Sequence, residues 1–412
     1  MTGLMEGVKV VETGVLMTVD FLGRLLGDEG ADVVKVETPQ LGDYLRNIMI
    51  RFAPDHSVFH LMLNRNKRSL TCDARTDAGK EVMAKLIADA DIFITGNIGD
   101  TNIKLGLDYE TVKKINPRIV YCQATGYGAT GPYKEIPTHG QMMDVLGGGA
   151  PPMALDETGI AIKTGPAVES SGGVVIGPLY AAFAVAAALA KANKTGEGCF
   201  IDVSCADAIV ACKWLDALPI LNPEKVDKTG PNPGRVVAPI DNTATPTNAK
   251  YTFYETKDGK YLLFCAIEAK FWRNWCKATG RDDLAASHRD DLVVDFGGGD
   301  TELRLEIQKE FLKRTLAEWT AVAVEYDIAM GPALTFDQIV DDPQLTFRQQ
   351  IVEDHHPVLG TFKTLGNPIL VPGKEFTLRS APQHGQHTDE VLAELGYDDG
   401  ARAKLREAGV IK

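Results

Sequence analysis

Residues 8–37 read VKVVETGVLMTVDFLGRLLGDEGADVVKVE, and this stretch decides the fold. A β-branched apolar run at residues 8–11 is followed by a helical pattern over about residues 19–27 and a second apolar run at residues 31–37. Two short apolar runs separated by a helix are typical of a βαβ unit, whose parallel strands are buried on both faces. The stretch therefore predicts the beginning of a parallel sheet covered by helices.

The same alternation continues along the first half of the chain. Strand patterns recur at residues 91–94, 119–122 and 200–203, and helical patterns at 76–90, 109–115, 174–190 and 205–217. This order predicts an α/β fold with a large, open, Rossmann-like domain. Residues 219–247 are rich in Pro, Asn, Asp and Thr, which is typical of a connection between domains. A hairpin pattern with an Asp258-Gly259 turn and three helical patterns predict a smaller α+β domain at 225–330.

Composition narrows the classes of function. The chain has 412 residues, 44% hydrophobic and 24% charged, as expected of a soluble globular protein with two domains. A net charge of −13 without a Lys/Arg-rich tract argues against nucleic-acid binding. The apolar run at 174–190 contains Gly177 and Pro178, which favours a buried helix over a membrane span. Seven cysteines without CxxC spacing and an N-terminal segment without a signal pattern favour reduced thiols and a cytoplasmic location.

Three side chains stand out as candidate catalytic groups. Glu169 precedes the long apolar helix, where backbone N–H groups and the helix dipole favour an anion. This carboxylate can be a nucleophile, a proton carrier or a helix cap. His139 lies among small residues and is a candidate proton carrier. Glu268 begins a helix directly after a strand, so capping and catalysis both remain open.

Two further motifs have ligand-binding and structural interpretations. Residues 126–131 match G-x-G-x-x-G after a strand, but prolines at 132 and 137 prevent the helix that a dinucleotide site requires. We therefore expect a glycine turn near the active site. The basic cluster at residues 64–69 contains Lys67 and Arg68 and is either a phosphate site or a solvated turn. The spacing of His, Cys and acidic residues predicts no metal site.

These segments together resemble the class III CoA-transferase family, which includes formyl-CoA and carnitine CoA-transferases and the α-methylacyl-CoA racemases. The resemblance spans essentially the whole chain. It is carried by GADVVKVE at 30–37, NRNKRS at 64–69, LGLDYE at 105–110, TGYGATGP at 125–132, KTGEG at 194–198 and HTDEVL at 387–392.

The resemblance implies an architecture and a class of substrate. The large domain would comprise residues 1–220 with residues 331–412 returning to it, and two subunits would be threaded through each other as an interlocked homodimer. The substrates would be acyl-CoA thioesters and carboxylic acids. Coenzyme A would enter as the thioester substrate, with no permanently bound cofactor.

The resemblance also implies roles for the candidate residues. Glu169 falls where the transferases have an aspartate nucleophile, so the first hypothesis is a CoA-transferase with a Glu169 acyl and CoA-thioester intermediate. The second is a 2-methylacyl-CoA racemase or epimerase, because His139 stands where the racemases have His, and Glu169 and Glu268 would complete its acid/base set. The third is a non-catalytic subunit that forms a heteromer with a paralogous chain.

Two segments that normally contact CoA depart from the family pattern. Thr38 stands where members usually have Arg, and residues 95–99 read TGNIG in place of an Asn-Phe-Arg-like turn. The CoA-binding residues predicted for this chain are Lys67, Arg68, Asn97, Lys104 and Lys134.

Overall fold

The computed structural model describes residues 3–165, 172–226, 248–289, 291 and 293–412. The chain forms two compact units, one of Met1–Leu221 with Arg348–Lys412 and one of Asn222–Phe347. Both ends of the chain therefore belong to the larger unit. The smaller unit extends to Phe347, whereas the sequence placed its end near residue 330.

A parallel sheet is the centre of the larger unit. Within the described residues it has six strands in the order β10-β7-β6-β1-β2-β5. All five neighbouring pairs are parallel. The α/β fold with a Rossmann-like parallel sheet that the sequence predicted is confirmed. The strands of this sheet are β1 (Lys9–Thr13), β2 (Asp32–Glu37), β5 (Lys67–Thr71), β6 (Ile92–Thr95), β7 (Val120–Thr125) and β10 (Cys199–Ser204).

Helices and two hairpins connect these strands. The hairpins pair β3 (Arg51–Ala53) with β4 (His56–Ser57) and β8 (Met153–Leu155) with β9 (Ala161–Lys163). The helices are α1 (Met17–Asp28), α2 (Val58–Leu63), α3 (Asp77–Ala88), α4 (Thr101–Leu105), α5 (Tyr109–Ile115), α6 (Gln141–Asp144), α7 (Gly172–Thr195), α8 (Cys205–Cys212) and α9 (Trp214–Leu221).

Both faces of the sheet are buried, which explains why its strands read as continuous apolar runs. Val10 and Val33 belong to a core cluster on one face, where α1 and α7 pack. Their chain neighbours Val11 and Val34 point to the opposite face and join a separate cluster with α3 and the C-terminal residues. Since successive side chains of a strand alternate between faces, neighbouring positions between two helical layers are both buried, and most of them carry apolar residues.

The smaller unit is an α+β fold with an aromatic core. A hairpin of β11 (Thr252–Glu255) and β12 (Tyr261–Phe264) adds β13 (Met330–Ala333) to form an antiparallel sheet. Trp272, Trp275 and Trp319 are fully buried there, as core residues rather than parts of an open pocket. The helices are α10 (Ala269–Thr279), α11 (Asp282–Ala285), α12 (Thr301–Phe311), α13 (Leu316–Tyr326) and α14 (Pro343–Phe347).

The C-terminal residues complete the larger unit. They form a hairpin of β14 (Ile351–His356) and β15 (Gly360–Leu365), followed by α15 (Thr388–Glu394) and α16 (Asp399–Glu407). Val391 and Ile411 lie in the same cluster as Val11 and Val34. The returning segment thus covers the face of the sheet opposite α1 and α7.

Helix α7 is the one helix in the described ranges that is long and apolar enough to cross a membrane. One side of it, with Ala181 and Val185, is buried in the core beside β1 and β7. Gly177 brings it so close to α8 that an added Cβ would lie 2.4 Å from the Cys205 sulfur. We therefore interpret α7 as a core helix with one uncovered side.

A cluster of buried charges lies between the sheet and α1. The Lys35 ammonium contacts the carboxylates of Glu12, Asp20 and Asp43, and the Lys67 ammonium lies 2.8 Å from Glu12. All five side chains are buried, with three negative charges against two positive ones. Burial raises the pKa of Asp20 and of Asp43 against the opposing effect of Lys35. For Lys35, burial lowers the pKa, but these carboxylates outweigh it and raise the pKa well above its usual value.

Glu37, at the end of β2, forms a second buried ion pair. Its carboxylate accepts hydrogen bonds from Arg46 Nε at 2.8 Å, from Arg46 Nη2 at 2.6 Å and from Ser69 Oγ at 2.6 Å. Burial alone would raise the pKa of Glu37, but Arg46, Lys35 and Ser69 together hold that pKa well below its usual range. The ionised form of Glu37 therefore stabilises the folded state.

We expect Glu37→Gln to lower the free energy of unfolding by about 3–5 kcal/mol near neutral pH, because it leaves the Arg46 charge buried and unpaired. Since the pKa of Glu37 is lowered in the folded state, its stabilisation is present above pH 4.5 and is lost as the pH falls below that value. The Glu37→Gln protein should thus lose less stability than the unsubstituted protein when the pH is lowered. Urea unfolding across the acid range measures both effects. Glu110→Gln, at an exposed position of α5, is the control, and equal acid sensitivity of all three proteins would contradict this account.

Candidate functional site

The carboxyl edge of the sheet, where all six strands end, is the natural place for a ligand. From β1 the chain first builds β2 and β5 on one side, and then β6, β7 and β10 on the other. The order reverses between β1 and β6, and open α/β sheets bind ligands at such a switch point. Gly14 follows β1 with φ of 126°, and a Cβ there would lie 3.1 Å from the Gly96 nitrogen after β6. Glycine at both positions therefore lets the ends of β1 and β6 approach each other closely.

A cavity of about 290 Å³ lies at this edge. Its walls are the segments that leave four neighbouring strands, together with α4. Most of its exposed surface is apolar, which suits a flat ring or a thin chain, and its polar groups come from the strand ends. The residues that line it include Thr13, Gly14, Val15, Glu37, Thr38, Gly42, Asp43, Asp73, Arg75, Asn97, Thr101 and Leu105.

Arg75 and Asn97 line this cavity, and Lys104 lies on α4, the helix that contributes Thr101 and Leu105 to its wall. Asn97 lines it and is held by two hydrogen bonds, from its Nδ2 to Asn102 and from Gln123 to its carbonyl. Lys104 is exposed in the last turn of α4. Arg75 also lines the cavity, with its guanidinium paired to Asp73 at 2.7 Å. Arg75 is not among the residues predicted from the sequence, although it lies four residues after the end of β5.

Lys67 and Arg68 do not line this cavity. The Lys67 ammonium is enclosed, donating to Glu12, to the Asp20 carbonyl and to Asn64. Burial lowers its pKa in spite of those carboxylates. Arg68 is paired with carboxylates of Asp32 at the start of β2 and of Glu390 and Glu394 in α15. In this structure the basic cluster therefore forms ion pairs within the larger unit, Lys67 with β1 and Arg68 with β2 and α15.

The glycine turn at 126–131 follows β7 at the same edge. Asp202 of β10 fixes it by accepting from the Ala129 N–H at 2.7 Å and from the Thr130 hydroxyl at 2.9 Å. An added Cβ at Gly126 would lie 2.0 Å from the Thr138 hydroxyl, so this turn packs tightly against the residue before His139. The turn thus places the exposed His139 side chain at the carboxyl edge. Lys134, also exposed, lies just beyond the turn.

Glu169 lies outside the described residues, but both flanks of its segment are held. Before it, the Thr164 N–H donates to the Pro152 carbonyl at 2.9 Å. After it, the Gly173 N–H donates to the Asp144 carboxylate at 3.1 Å, and Asp144 belongs to α6, the helix that follows His139. The beginning of α7 is therefore fixed to the segment that carries His139.

Glu268 belongs to the smaller unit and precedes the first turn of α10. Within the described part of the chain, its side chain makes no capping hydrogen bond with this helix. Glu268 nevertheless occupies the N-cap position of α10 with extended backbone, where the helix dipole favours its half-buried carboxylate. Among the residues that the structure describes, no group of three or more His, Cys, Asp or Glu side chains could hold a metal ion.

The family model of CoA-transferase family III matches residues 5–388. This chain is a member of CoA-transferase family III. It is 27% identical over 418 residues to formyl-CoA:oxalate CoA-transferase from Escherichia coli O157:H7 (strain EC4115 / EHEC), covering 98% of each chain. It is 28% identical to succinyl-CoA:glutarate CoA-transferase from Homo sapiens, covering 99% of this chain and 90% of the other. A crystal structure of a CAIB/BAIF family protein from Brucella suis superimposes with a TM-score of 0.71 at 26% identity, covering 96% and 100%.

The substitutions Lys104→Met and Lys67→Met form a matched pair that separates binding from folding. Lys104→Met should leave the free energy of unfolding within about 0.5 kcal/mol, because the side chain is exposed. It should raise the dissociation constant of CoA several-fold, less so at high salt. Lys67→Met should lower the free energy of unfolding by about 3–5 kcal/mol, because Glu12 loses a buried partner. Urea unfolding and calorimetric titration with CoA measure these effects. A Lys67→Met protein that is as stable as the unsubstituted one but does not bind CoA would contradict the structural role of Lys67.

Proposed function

We propose that this enzyme transfers CoA between carboxylic acids, with Glu169 as the carboxylate that carries first the acyl group and then CoA. One observation of the structure supports this proposal above the others. The helix that follows Glu169 begins at the carboxyl edge of the sheet, fixed through Asp144 to the segment of His139. A carboxylate just before such a helix would lie at the edge where this fold class binds its ligands.

The proposed transfer begins and ends with a free Glu169 carboxylate. The carboxylate attacks the thioester carbonyl of the donor acyl-CoA, giving a mixed anhydride and releasing CoA thiolate. The thiolate then attacks the Glu169 carbonyl of the anhydride, giving a Glu169–CoA thioester and the free donor acid. The acceptor carboxylate attacks this thioester and forms a second anhydride, from which CoA thiolate takes the acceptor acyl group. Covalent catalysis here divides one difficult exchange into easier steps.

The CoA nucleotide would occupy the cavity between the ends of β1, β2, β5 and β6. Its phosphates carry negative charge, and the net charge of the chain is −13, so local cations are required. Arg75 and Lys104 would supply that charge, with Asn97 as a hydrogen-bonding group and Lys134 as a further phosphate partner beyond the glycine turn. No permanently bound cofactor enters this proposal, and we propose a cytoplasmic location on the basis of the reduced thiols.

Racemisation of a 2-methylacyl-CoA is the second candidate function. It is favoured by the exposed His139 at the carboxyl edge, with Glu169 and Glu268 as the further acid/base groups. In this reaction one group removes the proton next to the thioester carbonyl and another returns a proton to the opposite face. Unlike the transferase mechanism, it forms no covalent bond to Glu169.

Trapping of the covalent intermediate tests the proposal. Incubation with formyl-CoA and with succinyl-CoA, borohydride reduction and mass spectrometry should show a reduced residue or CoA adduct at Glu169. Glu169→Gln should abolish trapping and lower turnover by at least about a thousandfold, because the nucleophile is lost. Glu169→Asp, which keeps the carboxylate, should retain part of the trapping and part of the turnover. If nothing is trapped and the protein instead exchanges solvent deuterium into position 2 of a 2-methylacyl-CoA, the racemase is correct.

We also propose that the enzyme is an interlocked homodimer, with a heteromer containing a paralogous subunit as the alternative. An uncovered apolar face supports this proposal. It runs along α7 and α9, with Phe183 76%, Trp214 64% and Leu221 74% exposed. Monomeric soluble proteins rarely leave large contiguous apolar surfaces in water.

Light scattering of the purified protein should give twice the chain mass of 44.6 kDa. Trp214→Glu, which places a charge on the apolar face, should shift the mass toward that of one chain, because burying an unpaired charge is unfavourable. A single-chain mass that gains activity only with a second polypeptide would favour the heteromer. A monomer active by itself would contradict both assemblies.

A further inference from the structure

The turn between β1 and α1 has an unusual backbone conformation. It comprises Gly14, Val15 and Leu16, and the first two residues line the cavity. Leu16 has φ of 71° and ψ of −173°, a region that residues with a Cβ almost never occupy. Such conformations persist only where the surrounding structure enforces them, and they concentrate at functional sites.

One carboxylate enforces this turn. The Leu16 N–H points at both oxygens of Asp43, at 3.2 and 3.4 Å. Asp43 also accepts from the Leu45 N–H at 2.8 Å and from the Lys35 ammonium at 2.9 Å, and it lines the same cavity. Asp43 therefore connects the turn after β1 with the loop after β2, and these are two walls of the cavity.

The Lys35 ammonium fixes the position of this carboxylate. It contacts Asp20 in α1 and Glu12 in β1 as well as Asp43. The elements on both sides of the strained turn are thus tied to the same buried charge. Moving Asp43 away would leave that charge with an incomplete set of partners, which is unfavourable in a buried site.

We propose that Asp43 is a positioning residue for the CoA thioester, because it holds the turn at 14–16 in the strained form that shapes the cavity. The inference rests on the proposed function, which supplies CoA as the ligand. Asp43→Asn keeps an oxygen acceptor but loses the charge that Lys35 holds. The dissociation constant of CoA should rise about tenfold, as the loss of one charge-assisted hydrogen bond predicts. The KM for the acyl-CoA should rise in parallel, and kcat should change less than about threefold.

Asp28→Asn is the matched control. Asp28 is a buried carboxylate of α1 that pairs with Arg65 at 2.7 Å and with Arg24 at 3.0 Å, and its contacts lie at the opposite edge of the sheet. This substitution should lower thermal stability to a similar degree and leave the dissociation constant of CoA unchanged. Equal effects of the two substitutions on CoA binding would overturn the inference.

Leu16→Gly supplies a second variant that leaves the ionic cluster intact. Glycine tolerates the strained conformation, so this protein should fold at least as stably, yet its freer turn should bind CoA more weakly. If Asp43 acts through the turn, Asp43→Asn should weaken CoA binding less in the Leu16→Gly background than in the unsubstituted protein. Independent, additive effects would overturn the inference even if each substitution weakened binding.

Calorimetric titration with CoA and amide hydrogen exchange of the Leu16 segment complete the test. Asp43→Asn should speed exchange of the Leu16 amide and weaken CoA binding together. Faster exchange with unchanged binding would show that the turn does not shape the CoA site and would overturn the inference. If the unsubstituted protein does not bind CoA, the proposed function itself fails and this inference fails with it. If the unsubstituted protein binds CoA and Asp43→Asn binds it more weakly with faster exchange of the Leu16 amide, the result supports both the proposed function and this inference.

Discussion

The pairing of Lys35 with Glu12, Asp20 and Asp43 is the constraint on which the carboxyl edge depends. Buried charges are tolerated only when they are paired in good geometry, so these side chains have little freedom. Together they tie β1 and α1 to the loop that follows β2. Gly23 permits this arrangement, because a Cβ there would lie 1.7 Å from a Glu12 oxygen. Through Asp43 this cluster contacts both the strained turn and the wall of the cavity.

The sheet could be predicted from sequence because its signal is local. Burial on both faces gives β1, β2, β6 and β7 pairs or runs of adjacent apolar residues, such as Val10-Val11 and Val33-Val34, and no other part of the chain is needed to recognise them. The position of Lys67 and Arg68 could not be predicted in this way. Their partners are Glu12, 55 residues away, and Glu390, 322 residues away, so the local sequence suggested an exposed phosphate site. A cluster of basic residues in the sequence indicates local positive charge. Which carboxylates pair with that charge is determined by the fold.

The candidate site was predictable to the extent that it follows from parallel strands. The segments after β6 and β7, with Asn97 and the glycine turn, lie at one edge because the carboxyl ends of parallel strands meet there. Arg75 was not predicted because Lys67 and Arg68, the first residues of β5, were interpreted as a basic cluster rather than as the start of a strand. The strained Leu16 gives no sequence signal, since only a buried carboxylate after the next strand explains its conformation. The role of Glu169 rests on family membership and on the fixed beginning of α7.

We propose that CoA binds at the switch point of this sheet with its thiol end directed to Glu169. A crystal structure of the protein grown with CoA would show where the ligand lies. We expect the nucleotide in the cavity between the ends of β1 and β6, with Arg75 and Lys104 at its phosphates and its sulfur within bonding reach of the Glu169 carboxylate. CoA bound at another edge of the sheet, or a sulfur far from Glu169 in a fully occupied site, would contradict it.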